Sequence, residues 1–271
     1  MTTMRAFRVA YDGRPFHGFQ RQPDVPTVEV ALFDALRELD VLDAEAGKPP
    51  GYAAAGRTDA GVSAVAQTVG FTCPDWLTPS ALNAELPADV RAWAAADVDP
   101  DFSARYDADR RTYVYHLFAP GASVDLARTV CSAIVGTHDF RNLTADREGT
   151  TRTIDEATVE RDGDFLVLRV TARAFLHQQV RRIASLVRAV AAGERPAAFV
   201  DQVLSAETLD GPDGIAPAPA PALVLVDVTY PDVTFTSDPD AASRSKVIFE
   251  RRRIEHRTNA RVAGELVDRI P

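Results

Sequence analysis

Hydrophobic positions along the chain follow two periods. In RAFRVAY, Phe7, Val9 and Tyr11 alternate with their neighbours, the two-residue repeat that turns one face of a strand toward a core. TYVYHLF sets Tyr113, Tyr115 and Leu117 against Val114, His116 and Phe118 in the same way. VAQTVGF, RAWAAADV and ALVLVDVTY read as further strands. TIDEATVE and FLVLRVTA flank RDGD, where Asp162-Gly163 is a two-residue hairpin signal.

Elsewhere the spacing is helical. Thr27 is placed to cap a helix with Glu29 in its first turn, and Val28, Leu32, Ala35, Leu36 and Leu39 predict that it runs to about Leu42. LTPSALNAEL predicts a short helix and SVDLARTVCSAIVG a longer one. Across FLHQQVRRIASLVRAVAAG, an apolar stripe of Leu176, Val180, Ile183, Ala184, Val187 and Val190 opposes Gln178, Arg181, Ser185 and Arg188. Gly193 ends that helix and Pro196 opens the next. The APAPAPA run reads as an extended linker, and a basic helical tail closes the chain.

Each half thus runs strand, helix, strands, helix. The expected fold class is mixed α/β (α+β), with two similar lobes whose antiparallel mixed sheet forms a central cleft for a large substrate. The expected units are an N-terminal lobe over 1–104, a second lobe over 105–232 and a basic tail over 233–271.

Composition narrows the class. Apolar types at 46% and charged types at 25% are ordinary globular usage, which excludes global disorder. Cys73 and Cys131 stand far apart without ligand-spaced partners, so reduced core thiols are expected rather than a disulfide framework or a zinc site. The opening MTTMRAFRVAYDG has no apolar leader, and no stretch of about 18 apolar residues offers a membrane span, so a cytoplasmic location is the default expectation. His17, His116, His138, His177 and His256 are scattered without ligand spacing and read as structural.

Net charge is −9, and Lys48 and Lys246 are the only lysines. An acidic, lysine-poor, alanine-rich chain points to a high-salt cytosol, where surplus carboxylates keep a surface hydrated. Acidity argues against nucleic acid as a partner, but local field decides, and the arginines cluster. The clusters are Arg105, Arg110 and Arg111; Arg173, Arg181, Arg182 and Arg188; and Arg251, Arg252, Arg253, Arg257 and Arg261.

The densest chemical signal is AAAGRTDAGV, residues 53–62. Thr-Asp-Ala-Gly by itself is turn chemistry, the aspartate bonding nearby backbone N–H groups. Here Gly56 and Gly61 permit close approach, the alanines leave room for a ligand, and Arg57 is placed to keep the Asp59 carboxylate ionised and aimed.

GRTDAGV resembles the catalytic loop of the TruA family of tRNA pseudouridine synthases. YDGRPFHGFQRQP with the following TVE, FSARYDADRRTYVYHLF, FLHQQVRRI and LVLVDVTYP resemble other segments of that family, in order, across about residues 5–232. The resemblance implies the pseudouridine synthase fold and an isomerisation without cofactor or metal. Uracil leaves its ribose at N1, turns in the pocket and rejoins through C5. It implies Asp59 as the essential carboxylate, Arg57 in the same loop, Arg181 as its cationic partner and Tyr113 lying against the target base. Phosphate contacts would fall to Arg21, Arg105, Arg110 and Arg111, together with the tail arginines. Targets in the anticodon stem-loop, at positions 38 to 40 of the tRNA, and a homodimeric working form are implied in the same way. Ser63, Phe19 and Ala222 depart from the family pattern, where histidine, tryptophan and glycine are common.

Two other classes share part of this signal. A non-catalytic RNA-binding protein would keep the arginines and Tyr113 without needing Asp59. A nucleoside or glycoside hydrolase would cleave the same bond, but usually with two facing carboxylates or a metal cluster.

Overall fold

The alternation in the opening segment becomes strand β1 (Thr2–Tyr11), which lies between β3 and β4 in the computed structural model and buries Phe7 and Val9 completely. The structure describes residues 1–270. Helix α1 (Val28–Glu38) follows, capped by the Thr27 hydroxyl, which accepts from the Val30 N–H. Next come β2 (Ala53–Ala54), β3 (Ser63–Pro74), α2 (Pro79–Glu85) and β4 (Val90–Asp97). The second half brings β5 (Arg110–Phe118), α3 (Val124–Ile134), β6 (Gly136–Asp139), β7 (Thr151–Ile154), β8 (Glu156–Asp162), β9 (Phe165–Ala172), α4 (Gln179–Ala191) and α5 (Phe199–Val203). Strands β10 (Leu223–Thr229) and β11 (Thr236–Ser237) and helix α6 (Pro239–Arg269) complete it.

One nine-stranded sheet joins both halves in the order β11-β4-β1-β3-β10-β5-β9-β8, with β2 added on β3. Its pairs are antiparallel except at the seam, where β10 runs parallel to β3, Val224 opposite Ser63. On its other side β10 pairs antiparallel with β5. Two cores pack around this sheet. One gathers Phe7, Tyr11, Leu32, Leu36, Val69 and Leu82, and the other Leu168, Val170, Val130, Ile183, Val187 and Val190. Strand β10 feeds both, giving Leu225 and Val228 to the first and Leu223 to the second. Cys73 and Cys131 are buried, and burial pushes their thiols up to about 11 and about 12, so neither is a reactive thiolate at neutral pH.

Several boundaries differ from the sequence pattern for local reasons. Helix α1 stops at Glu38, not near Leu42, because Asp40 turns left-handed at φ +54°. The Val41 and Leu42 N–H groups then both return to the Leu36 carbonyl, at 2.9 and 3.0 Å. TIDEATVE divides at Asp155: β7 pairs with β6 in a separate two-stranded sheet, whereas β8 joins β9 through the Asp162-Gly163 turn. Helix α4 starts only at Gln179 because Gln178 sits at φ +60°, so Leu176 is buried from outside the helix. The APAPAPA run is no linker. Ala218 and Ala220 are buried, the Ala218 N–H donates to the Arg181 carbonyl at 3.1 Å, and Ala220–Ala222 forms a short 3-10 turn.

Helix α6 is tied down only at its start and middle. Asp238 caps it, Ala241 and Ser245 are buried, and Arg252 pairs with Asp89 at 2.5 Å. Beyond that, Val262, Leu266, Val267 and Ile270 are exposed. Among the described residues no helix is long and apolar enough to cross a membrane.

Candidate active site

The loop from Ala55 to Val62, between β2 and β3, is laced to its surroundings by buried polar groups. The fully buried Gln67 clamps Gly56: its Nε2 donates to the Gly56 carbonyl at 2.8 Å, and its Oε1 accepts the Gly56 N–H at 3.3 Å. The Thr58 and Tyr11 hydroxyls share a 2.7 Å hydrogen bond, and the Thr58 carbonyl accepts the Phe19 N–H at 3.0 Å. Burial pushes Tyr11 above its ordinary value, which keeps that hydroxyl protonated. Glycines permit the approach of the β1 loop: a Cβ on Gly13 would lie 2.0 Å from the Val62 carbonyl oxygen, and Gly18 adopts φ +100° against Thr58. These contacts give YDGRPFHGF its spacing.

Asp59 projects from this frame toward α4. Its Oδ2 accepts from Arg181 Nη1 at 2.8 Å, with the two side chains 23% and 14% exposed. Arg181 is itself held, because its Nε donates to the Ala218 carbonyl at 2.7 Å. The packed alanine-proline run therefore fixes the guanidinium that faces the carboxylate. His177 Nε2 stands 3.7 Å from Asp59 Oδ1, while the His177 backbone N–H donates to Asp146 Oδ2 and its backbone carbonyl accepts from the Thr144 hydroxyl. The expectation that Arg57 aims the carboxylate is corrected: Arg57 is exposed on the cavity wall, and among the described residues Asp59 pairs with Arg181 and His177 instead. Tyr113 meets Phe175 edge-on at 5.2 Å. Burial pushes Tyr113 up to about 12; Arg111 opposes the shift and Asp59 adds to it.

Asp59, Tyr113, Arg181 and His177 open into one cavity of about 1100 Å³. Lys48, Arg57, Arg105 and Arg173 also line it, which gives a strongly acidic chain a locally cationic cleft. The four arginines expected on phosphate separate here. Arg105 is exposed on the cavity wall. Arg111 is buried, and its donors go to backbone carbonyls: Nε and Nη2 to Ala55 at 3.0 and 2.7 Å, Nη2 to Arg105 at 2.8 Å, and Nη1 to Arg173. Four of its five N–H donors are thus spent on backbone carbonyls, so on the cavity wall it acts first as a staple between loops. Arg110, one residue away on β5, points to the opposite sheet face from Tyr113, toward Asp109 and Asp155. Arg21 lies outside the cavity lining, its Nη1 donating to the Gly47 carbonyl at 2.9 Å.

Sequence reasoning missed His177, Phe175 and Tyr106 as cavity residues. The first two sit inside FLHQQVRRI, where a continuous helical reading hid the left-handed Gln178 that turns them into the site. Among the described residues no group of acidic, histidine or cysteine side chains has a metal-binding arrangement.

Comparison with known proteins places this geometry. Residues 130–231 match the family described as tRNA pseudouridine synthase. The tRNA pseudouridine synthase A of Haloarcula marismortui is 54% identical, covering 98% of this chain and 99% of its own. That of Natronomonas pharaonis is 55% identical over 97% of this chain and 98% of its own, and that of Methanosarcina mazei 35% over the same shares. The first two come from halophilic archaea. Identity of this extent over nearly the full length of both partners shows that the chain belongs to the TruA family and is an isomerase, a tRNA pseudouridine synthase.

Proposed function

We propose that the chain converts uridine to pseudouridine in the anticodon stem-loop of tRNA, at positions 38 to 40, with Asp59 as the essential carboxylate. The observation that carries this reading is the Asp59–Arg181 pair at 2.8 Å in a cavity also lined by Tyr113. The uracil N1–C1′ bond breaks, the base turns, and a C5–C1′ bond forms while the C5 proton is lost and N1 regains one, so the product has the mass of the substrate. The departing base leaves an electron-poor sugar carbon. A carboxylate meets that need by trapping the carbon covalently, by stabilising it, or by removing a neighbouring sugar proton. Arg181 sets the direction of the carboxylate through a charge-assisted hydrogen bond. Tyr113 stacks on the flipped base, and its burial-raised hydroxyl serves as a neutral hydrogen-bonding relay in the proton shift rather than as a phenolate.

Glu29 and Asp146 also line the cavity, but their carboxylates accept from the backbone N–H groups of Arg21 and His177, which leaves Asp59 as the one gripped by a guanidinium and favours this chemistry over hydrolysis by two facing carboxylates or a metal. The working form is a homodimer in the cytoplasm, and its acidic surface suits high salt, as the sequence resemblance and composition imply. The test is carbodiimide-stop mapping of unmodified tRNA after incubation with the wild type and with Asp59→Asn. Stops in the anticodon stem-loop that vanish with Asp59→Asn are expected, while the same protein scatters light as two copies. Pseudouridine made by Asp59→Asn overturns the role of the carboxylate, free uracil revives hydrolysis, and a monomer removes the dimer.

A further inference from the structure

We propose that Tyr106 is a stacking platform for the base of a nucleotide adjoining the target uridine, so that the cavity receives two unstacked nucleotides. The inference rests on the cavity being the uridine site, as proposed above. Tyr106 is 72% exposed, yet it lines the same cavity as Asp59 and Tyr113. The other exposed phenylalanine and tryptophan rings, Trp76, Phe118 and Phe165, lie outside that lining, and Phe118 and Phe165 meet each other edge to face.

The backbone carrying the ring is fixed. Asp107 Oδ2 accepts the Ser103 N–H at 2.7 Å, and the Asp107 N–H returns to the Ser103 carbonyl at 3.0 Å. The Ala104 carbonyl accepts the Tyr230 hydroxyl at 2.6 Å, and the Arg105 carbonyl accepts from Arg111 at 2.8 Å. Arg111 also grips the Ala55 carbonyl, so one buried guanidinium ties the tyrosine loop to the root of the Asp59 loop. The result is a free ring on a braced mount, which is the form a stacking surface needs: little ordering entropy remains to be lost on binding. The Arg105 guanidinium already lies 5.4 Å from the ring centroid, in cation–π range and beside the place where the phosphate of a stacked nucleotide would run.

Size agrees. About 1100 Å³ exceeds the roughly 300–1,000 Å³ typical of a pocket for one small ligand. Extracting a base also deprives its neighbour of a stacking partner, and an aromatic surface at the cavity mouth replaces that partner. Because every base presents a π-face, the platform tolerates sequence and recognises an unstacked strand.

The experiment measures kcat/KM by pseudouridine formation for the wild type, Tyr106→Ala and Tyr106→Trp. Substrates are intact tRNA and two tRNAs carrying an abasic ribose at the 5′ or the 3′ neighbour of the target. Expected is a loss of about 5- to 150-fold for Tyr106→Ala on intact tRNA, largely recovered by Tyr106→Trp. On the tRNA lacking the stacked base, wild type and Tyr106→Ala should become equal. An Ala variant as fast as the wild type on intact tRNA overturns the proposal, and so does the same loss on all three substrates. If the wild type makes no pseudouridine in any of them, the uridine-site reading fails first and the platform with it.

Discussion

The loop that holds Asp59 and the helix that ends the chain are both surface segments, yet they are secured by opposite means. Over Ala55 to Val62 nearly every backbone contact is long-range, to Gln67, Phe16, Phe19 and Arg111, and those partners are largely buried. Over α6 the backbone bonds are local to the helix, and the body touches its early turns and Arg252. The difference teaches that irregular backbone can be the more rigid element when its hydrogen bonds end on buried side chains, whereas a long regular helix can stand almost free.

That contrast can be broken at graded levels. The largest effect is expected at Arg181, which touches the carboxylate directly: Arg181→Met should lower kcat by about 100- to 1,000-fold, as removal of a preorganised charge partner does, with tRNA binding retained in a filter assay. Loss of binding in parallel with kcat would make Arg181 a binding residue instead. Next comes Arg111→Ala, which leaves the carbonyls of Ala55, Arg105 and Arg173 without this partner. Of these, only Ala55 is a buried residue, Arg105 and Arg173 being exposed, so at about 1–3 kcal/mol for one buried unsatisfied group a loss of about 1–3 kcal/mol in denaturant unfolding is expected. Arg111→Lys should recover only part of it, since an ammonium lacks the planar fork. A variant as stable as the wild type would show that the loop is braced without the staple. The smallest effect belongs to α6. A chain ended after Arg257 keeps the Arg252–Asp89 pair and loses mostly exposed residues, so unfolding free energy should change by no more than about 0.5 kcal/mol. A larger drop would put the far end of the helix among the load-carrying parts of the fold.

How much of this was legible in the sequence follows the range of each interaction. Strand alternation found β1 and β5, and the Asp162-Gly163 turn found β8 and β9, because a two-residue repeat and a hairpin turn are both written locally. The same parity separates Arg110 from Tyr113 and would have removed Arg110 from the cleft had it been applied to charged positions as it was to apolar ones. Arg111 shares the face of Tyr113, but its carbonyl partners at Ala55 and Arg173 lie far away in the chain, and no local pattern encodes them. The structure brings Asp59, Tyr113 and Arg181 to one cavity. His177 escaped because its approach to Asp59 depends on a single left-handed residue, Gln178, whose side chain gives no hint of φ +60°. The alanine-proline run misled through composition: small residues suit a flexible tether, and equally a tight fit against the Arg181 turn.

Strand β10 carries a consequence for biosynthesis. It fills the gap between β3 and β5, so the two walls of the cavity cannot be joined until the ribosome has delivered residues 223–229. Until then the nascent chain presents two unpaired strand margins, a state prone to pairing with other chains. Any message truncated upstream of that point would yield a polypeptide unable to assemble its cleft, so enzymatic competence arrives in one step rather than by degrees.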